Sequence, residues 1–351
     1  MATTPKTRIE RRQELEYPFE AHATGTCKEI APGILWVRMP LPFALDHINL
    51  WLLADGFHWT LVDCGLASNT TRTLWDEILA RDLAGLPIGR IIVTHYHPDH
   101  IGLAGWLSAR FNLVPWMTKG EFLTAHAACH SVGGTGFARL REFFARHGLE
   151  PARLEAAGVK EGTYRRGVEP LPDTFRRIRH GERITVGKQP WRVIVGYGHA
   201  PEHAALHNER AGVLISGDML LPRISTNVSV WPAEPDGDPL RDFLEALDQL
   251  RSIDAGTLVL PSHGRPFRGI QARVAELKAH HAERLEALAK VCDREKTAAE
   301  LVPALFGREF TDYQLLFAMG ETIAHLNHLW HRDVLRRVDG ADKVWRFVRA
   351  A

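Results

Sequence analysis

Apolar positions follow two rhythms along the chain. Short apolar runs bounded by turn residues recur at 34–37, 49–53, 59–63 and 91–93, and again at 183–186, 191–195, 212–215 and 257–260. Runs of this length, rich in β-branched and aromatic residues, predict strands, and Asp55-Gly56 marks a tight turn between two of them. Helical spacing fills the intervals at about 69–82 and 238–252. It also runs from 101 to about 159, where Leu103, Trp106, Leu107, Phe122, Phe137, Leu140, Phe143 and Phe144 suit packed helices. Strands in both halves with helices between them predict a layered α/β architecture.

Beyond Arg265 the pattern changes. A long amphipathic stretch at 270–291 and helical stretches at 297–305 and 312–331 precede two alternating runs, 334–338 and 343–348, around the Asp339-Gly340 turn signal. Three helices and a hairpin predict a winged-helix-like unit. The expected division is therefore a polar arm over 1–25, an α/β catalytic domain over 26–267 with a helical insert at about 101–165, and the winged-helix-like unit over 268–351. Arg332, Arg336, Arg337, Lys343, Arg346 and Arg349 raise the question of DNA binding. The helix that would read bases, 312–331, carries no Lys or Arg and is crowded with Leu315, Leu316, Phe317, Met319, Ile323, Leu326 and Leu329. Packing on the catalytic domain or on a second copy of the chain is the expected role.

Composition narrows the class. With 45% hydrophobic and 24% charged residues, the 351-residue chain reads as a soluble globular protein. Lys plus Arg number 43 against 42 for Asp plus Glu, so its overall field attracts neither nucleic acid nor an anionic membrane. No run approaches the roughly 18 apolar residues of a membrane span, and the charged first twenty residues lack the apolar core of a secretory signal. Cys27, Cys64, Cys129 and Cys292 are widely spaced and form no CxxC pair, which argues against a disulfide framework or a thiolate metal site and fits a reducing cytoplasm. Cys64, with no neighbour in sequence to lower its pKa, is expected to be a buried structural thiol. The excess lies in histidine, at 19 residues.

Those histidines concentrate where chemistry is expected. Thr94-His95-Tyr96-His97-Pro98-Asp99-His100 packs four potential metal ligands directly after the apolar run at 91–93. Histidines at i and i+2 on extended backbone point to one side, and the next turn can bring Asp99 and His100 toward a second metal. Three further signals each end an apolar run: Gly198-His199, Gly217-Asp218 and His263-Gly264. Strand ends on one edge are where α/β folds collect ligands.

In this order, Asp63, the HxHxDH segment at 95–100, His199, Asp218 and His263 resemble the metallo-β-lactamase superfamily over roughly residues 30–265. The resemblance implies an αββα sandwich with a dinuclear site at one edge. Carried over, His95, His97 and His199 would bind one divalent metal, Asp99, His100 and His263 a second, and Asp218 would bridge them. Asp63 would orient the HxHxDH loop. Imidazole and carboxylate ligands suit Zn most readily, with Fe and Mn also compatible. Two such ions lower the pKa of a shared solvent molecule, so a bridging hydroxide is the expected nucleophile, with Asp99 and Asp218 as the catalytic carboxylates and Asp99 orienting the attack.

The full HxHxDH set without a cysteine ligand looks most similar to the glyoxalase II and thioesterase branches. The implied activity is hydrolysis of a small acyl ester, thioester or lactone. Alternatives are a phosphodiesterase or endoribonuclease at the same site, an iron-dependent sulfur oxygenase, and a DNA-binding protein with a vestigial site. His203 and His207 continue from His199 at i+4 and i+8, which on a helix would form an alternative comb of ligands; His203 is instead expected to support a ligand and His207 to pack. His126 and His130 are expected on a helix surface. Trp106, Trp116, Met117 and the phenylalanines of the insert are helix core or an apolar lid. In the loop after Asp218, Arg223 and Asn227 are the candidate substrate contacts. Partners beyond a small-molecule substrate reduce to a second copy through the C-terminal helices.

Overall fold

In a computed structural model of the chain, the residues described are 15–43, 45–156, 160–307, 310 and 312–350. Most of the expected polar arm, 1–14, lies outside them. One sheet has seven strands in chain order: β1 (Thr26–Ala31), β2 (Ile34–Pro40), β3 (His47–Asp55), β4 (His58–Val62), β5 (Ile88–Ile92), β6 (Pro115–Met117) and β7 (Arg176–Arg177). Pairing is antiparallel as far as β4 and parallel from β4 to β7. The second sheet has five strands: β8 (Arg183–Val186), β9 (Gln189–Gly196), β10 (His203–Asn208), β11 (Val213–Gly217) and β12 (Leu258–Pro261). Only its β11–β12 pair is parallel.

Side-chain alternation along the strands builds the layers. On β3, Trp51 and Leu53 enter the core between the sheets while Leu50 and Leu52 face outward. On β11 and β12, Val213, Ile215, Leu258 and Leu260 enter that same core, and Leu214 and Val259 face the opposite side. Helices cover both outer faces. α1 (Asn69–Arg81), α2 (Pro98–Ile101), α3 (Ala104–Phe111) and α4 (Lys119–His130) contribute Trp75, Ile101, Leu107 and Phe122 to the layer over the first sheet. α5 (Phe137–Arg146), α6 (Pro151–Ala156), α7 (Pro239–Arg251), α8 (Ile270–Val291), α9 (Ala298–Phe306) and α10 (Asp312–His331) join the layer over the second. The expected αββα order is therefore the architecture of the chain, and among the described residues no helix is long and apolar enough to cross a membrane.

Three expectations change. The helical insert is interrupted by β6, so Trp116 and Met117 are strand residues on opposite faces; Arg90 and Arg176 stack over Trp116 at 4.5 and 4.2 Å, which removes it from any lid. Three residues are too few to leave a period of two. β1 lies before the first expected strand, half-exposed at the sheet edge and so without a clear apolar run. His203 and His207 lie on β10, which rules out the helical comb.

The C-terminal helices end in the hairpin β13 (Leu335–Asp339) and β14 (Trp345–Arg349). They share one continuous core with the second sheet and its covering helix: Val274, Leu301, Ile323 and Phe347 pack in the same cluster as Leu214, Phe243 and Val259. His281 and His325 are buried there with ring nitrogens 3.1 Å apart. Burial, assisted by the charge of Arg284, lowers them to about 2 and about 3. Unfolded, each titrates near 6.5, so their contribution is complete above about pH 6.5 and is lost as the pH falls toward the folded values, at ~1.4 kcal/mol per pH unit for each. In urea unfolding of the metal-free protein between about pH 6.5 and 5, a His281→Leu variant should lose stability with a correspondingly shallower slope. Equal slopes would contradict a neutral buried pair.

Candidate metal centre

The centre begins at the end of β4. Asp63 turns into the left-handed region, with φ 63°, and its N–H donates to the Ile92 carbonyl of the neighbouring strand. Its buried carboxylate accepts from the Thr94 N–H, the Thr94 Oγ1–H and His100 Nδ1, each at 2.8 Å. One aspartate thus fixes both ends of the HxHxDH loop. Pro98 starts α2 directly after His97, and this single turn brings Asp99 and His100 round beside His95 and His97.

Two groups of ligand atoms result, one from His95, His97, His199 and Asp218 and one from Asp99, His100 and His263, each within 4.8 Å of one another. His95 Nε2 lies 2.8 Å from His97 Nδ1 and 3.2 Å from His199 Nε2. Asp218 faces both groups: Oδ2 is 3.4 Å from His199 Nε2, while Oδ1 is 3.6 Å from His100 Nε2 and 3.5 Å from His263 Nε2. Asp99 Oδ2 closes the second group at 3.4 Å from His263 and 3.7 Å from His100.

The donor set fits two divalent cations. His100 Nε2 and Asp218 Oδ1 are buried without a hydrogen-bond partner, an arrangement that a cation between them would satisfy. Burial holds His95 well below its ordinary pKa and His97 down at about 3, which keeps both as neutral lone-pair donors. Burial would lower His100 and His263 as well, but Asp99 and Asp218, joined by Asp63 at His100, outweigh it, raising His100 well above its ordinary value and His263 to about 10. Protons on these two rings thus supply the positive charge that the carboxylates call for, and a bound metal would displace them.

The outer nitrogens are tied down, leaving the inner ones aimed at the cluster. His199 Nδ1 donates to the Asn227 carbonyl at 2.7 Å and His263 Nδ1 to the His47 carbonyl at 2.9 Å. His203 Nε2 accepts the Asp218 N–H at 3.1 Å, so it supports a ligand rather than joining the set. Asn227 differs from the expectation. Its amide donates to Glu321 at 3.2 Å and accepts from Ser229 at 2.7 Å, which commits the side chain to this network and away from substrate. Arg223 is exposed beside His263. Cys64 is fully buried, and burial raises its thiol well above the ordinary range. His126 lies on α4, part-buried against the Pro172 carbonyl, and His130, at the end of α4, is exposed.

Several supports had no sequence signal. Glu121 is buried on α4 and accepts from the backbone of Tyr96 at 2.9 Å and of Glu202 at 2.6 Å, joining the HxHxDH loop to the His199 loop; burial lifts it to about 8. Asn49 donates to the Pro261 and Gly264 carbonyls, both at 2.8 Å, and so brackets His263. From the C-terminal helices, Arg273 donates to the Leu221 and Ile224 carbonyls at 2.6 and 2.7 Å, and Arg284 pairs with Glu321. The loop after Asp218 is therefore held at two points from the C-terminal helices.

Two cavities adjoin the cluster. One of about 500 Å³ beside His199 is lined by Tyr96, Tyr164, Tyr197 and Trp231 among mainly apolar groups. The other, about 520 Å³, lies beside His263. Both have the size of small-molecule sites.

The model of the metallo-beta-lactamase superfamily matches residues 44–263, and that of the metallo-beta-lactamase-like C-terminal domain matches 285–350. The chain is 47% identical to a beta-lactamase domain protein from Burkholderia ambifaria, with a TM-score of 0.91 and coverage of 97% of this chain and 99% of that one. It is 33% identical to a metallo-beta-lactamase family protein from Thermus thermophilus, with a TM-score of 0.77 over 92% of this chain and 100% of that one. The probable metallo-hydrolase YqjP of Bacillus subtilis (strain 168) is 26% identical over 322 residues, 89% of this chain and 95% of that protein. The chain belongs to the metallo-beta-lactamase superfamily. With a His/Asp cluster able to bind metal, this membership supports an enzyme of the metallo-hydrolase class.

Proposed function

We propose that the protein hydrolyses a small acyl ester, thioester or lactone, in the manner of the glyoxalase II and thioesterase branches, with two divalent cations, most readily Zn, as cofactors. His95, His97, His199 and Asp218 would hold one cation, and Asp99, His100, His263 and Asp218 the other. The observation that carries this reading is Asp218, whose two oxygens face the two groups separately at 3.4 to 3.6 Å. When bound, the pair of cations would supply a nucleophilic water at neutral pH and polarise the scissile carbonyl. Asp99 is the most open carboxylate of the cluster, with its side chain 20% exposed against 9% for Asp218, and it is held ionised. It is therefore positioned to accept a hydrogen bond from the attacking water and orient it. The tyrosine and tryptophan cavity beside His199, with its mainly apolar wall, suits an apolar acyl group.

Elemental analysis of protein purified without added metal, paired with ester and thioester turnover before and after chelation, tests the reading. Two zinc ions per chain with turnover that chelation abolishes and zinc restores are expected. Full loading with two metals and no turnover of esters, thioesters or lactones would overturn it, and phosphodiester cleavage would then point to the nuclease alternative. A single iron per chain would point to oxygen chemistry instead.

A further inference from the structure

The cavity beside His263 has a chemistry of its own. Its charged lining is Arg38, Arg223 and Arg265 against a single carboxylate, Glu20. We propose that it binds an anionic group on the leaving part of the substrate, a carboxylate or a phosphate, an inference that rests on the hydrolase reading for the position of the reacting bond. The guanidinium groups come from three separate parts of the fold: β2, the loop after Asp218, and the segment after His263. Arg265 pairs with Glu20 at 2.7 Å, but the Glu20 side chain is 86% exposed, so water screens that pair. Arg38 donates to the His22 carbonyl. Arg223 has no carboxylate partner among the described residues.

Tyr17 gathers two of these cations on one ring, with Arg265 at 4.6 Å and Arg223 at 6.0 Å. Stacking orients guanidinium groups without neutralising them, and a planar carboxylate or a phosphate can then accept paired N–H donors from them. The cavity beside His199 has the opposite character: Glu234, Asp238 and Asp242 line it, and among the described residues no Lys or Arg does. The two ends of the cluster thus differ in sign. An anion is directed to the His263 side, and an apolar acyl group remains for the aromatic side.

Butyrate esters of phenol, 3-hydroxybenzoate and 3-hydroxyphenyl phosphate share an acyl group and differ in the charge of the leaving part. With the metal-loaded protein, at least one charged ester should exceed the neutral one in kcat/KM by about tenfold, and the larger preference identifies carboxylate or phosphate as the natural group. In R223A the charged-to-neutral ratio should fall toward one, and R223K should keep part of it. Turnover of all three esters with a ratio near one in the unaltered protein would overturn the subsite and leave the hydrolase reading intact. If no ester is turned over, the hydrolase reading fails and binding decides the subsite. Calorimetric titration of the loaded protein with phenylphosphonate and benzoate should then be about tenfold weaker in R223A, and equal affinities would overturn it.

Discussion

Replacing Asp218 with alanine should abolish dinuclear metal binding and lower turnover by about 10³-fold or more, because a metal's electrostatic assistance is worth several kcal/mol and each 1.36 kcal/mol is a factor of ten. The expectation follows from geometry. Asp218 presents one oxygen to each half of the cluster, with Oδ2 toward His199 and Oδ1 toward His100 and His263. Its loss removes one anionic ligand from each half and the link that fixes their separation. Asp218→Asn should be milder in shape and nearly as severe in function, since the amide keeps one acceptor oxygen but not the charge. Elemental analysis should find at most one metal per chain in either variant. Two tightly bound metals in Asp218→Ala would exclude the bridging role.

The candidate ligands are readable in the sequence because they obey a local rule. His95, His97, Asp99 and His100 are contiguous, and His199, Asp218 and His263 each end an apolar run that forms a strand, a loop end or both. The two sheets are readable for the same reason, since a strand buried on both faces leaves an apolar run such as 213–215. What escapes has no local pattern. Glu121 is one carboxylate in a helix whose partners lie 25 and 81 residues away, and Glu321 meets Asn227 across 94 residues. Asn227 illustrates a different blindness, because it supports His199 through its carbonyl, a group that every residue carries. His203 is expected to support a ligand and accepts the Asp218 N–H, but spacing alone cannot tell strand from helix there, since i and i+4 share a face in both.

Glu321→Ala should cost about 3 kcal/mol of folding stability, although the residue touches no metal ligand directly. Its side chain is 7% exposed and that of Arg284 17%, so truncation strands a largely buried guanidinium over the Phe306 ring. Metal affinity should also fall, by up to about tenfold, because Asn227 loses the acceptor that holds its amide while its carbonyl orients His199. These two effects can be separated. Arg284→Met combined with Glu321→Leu removes both charges and fills the space, which commonly restores the stability lost when a buried pair is broken. Asn227 remains without its anchor in that double variant. Urea unfolding of the double variant should therefore return close to the parent, while chelator competition still reports weakened zinc binding. Recovery of both properties together would reduce the contact to one of stability. Recovery of stability alone would establish that the C-terminal helices hold a metal ligand in place across the domain boundary.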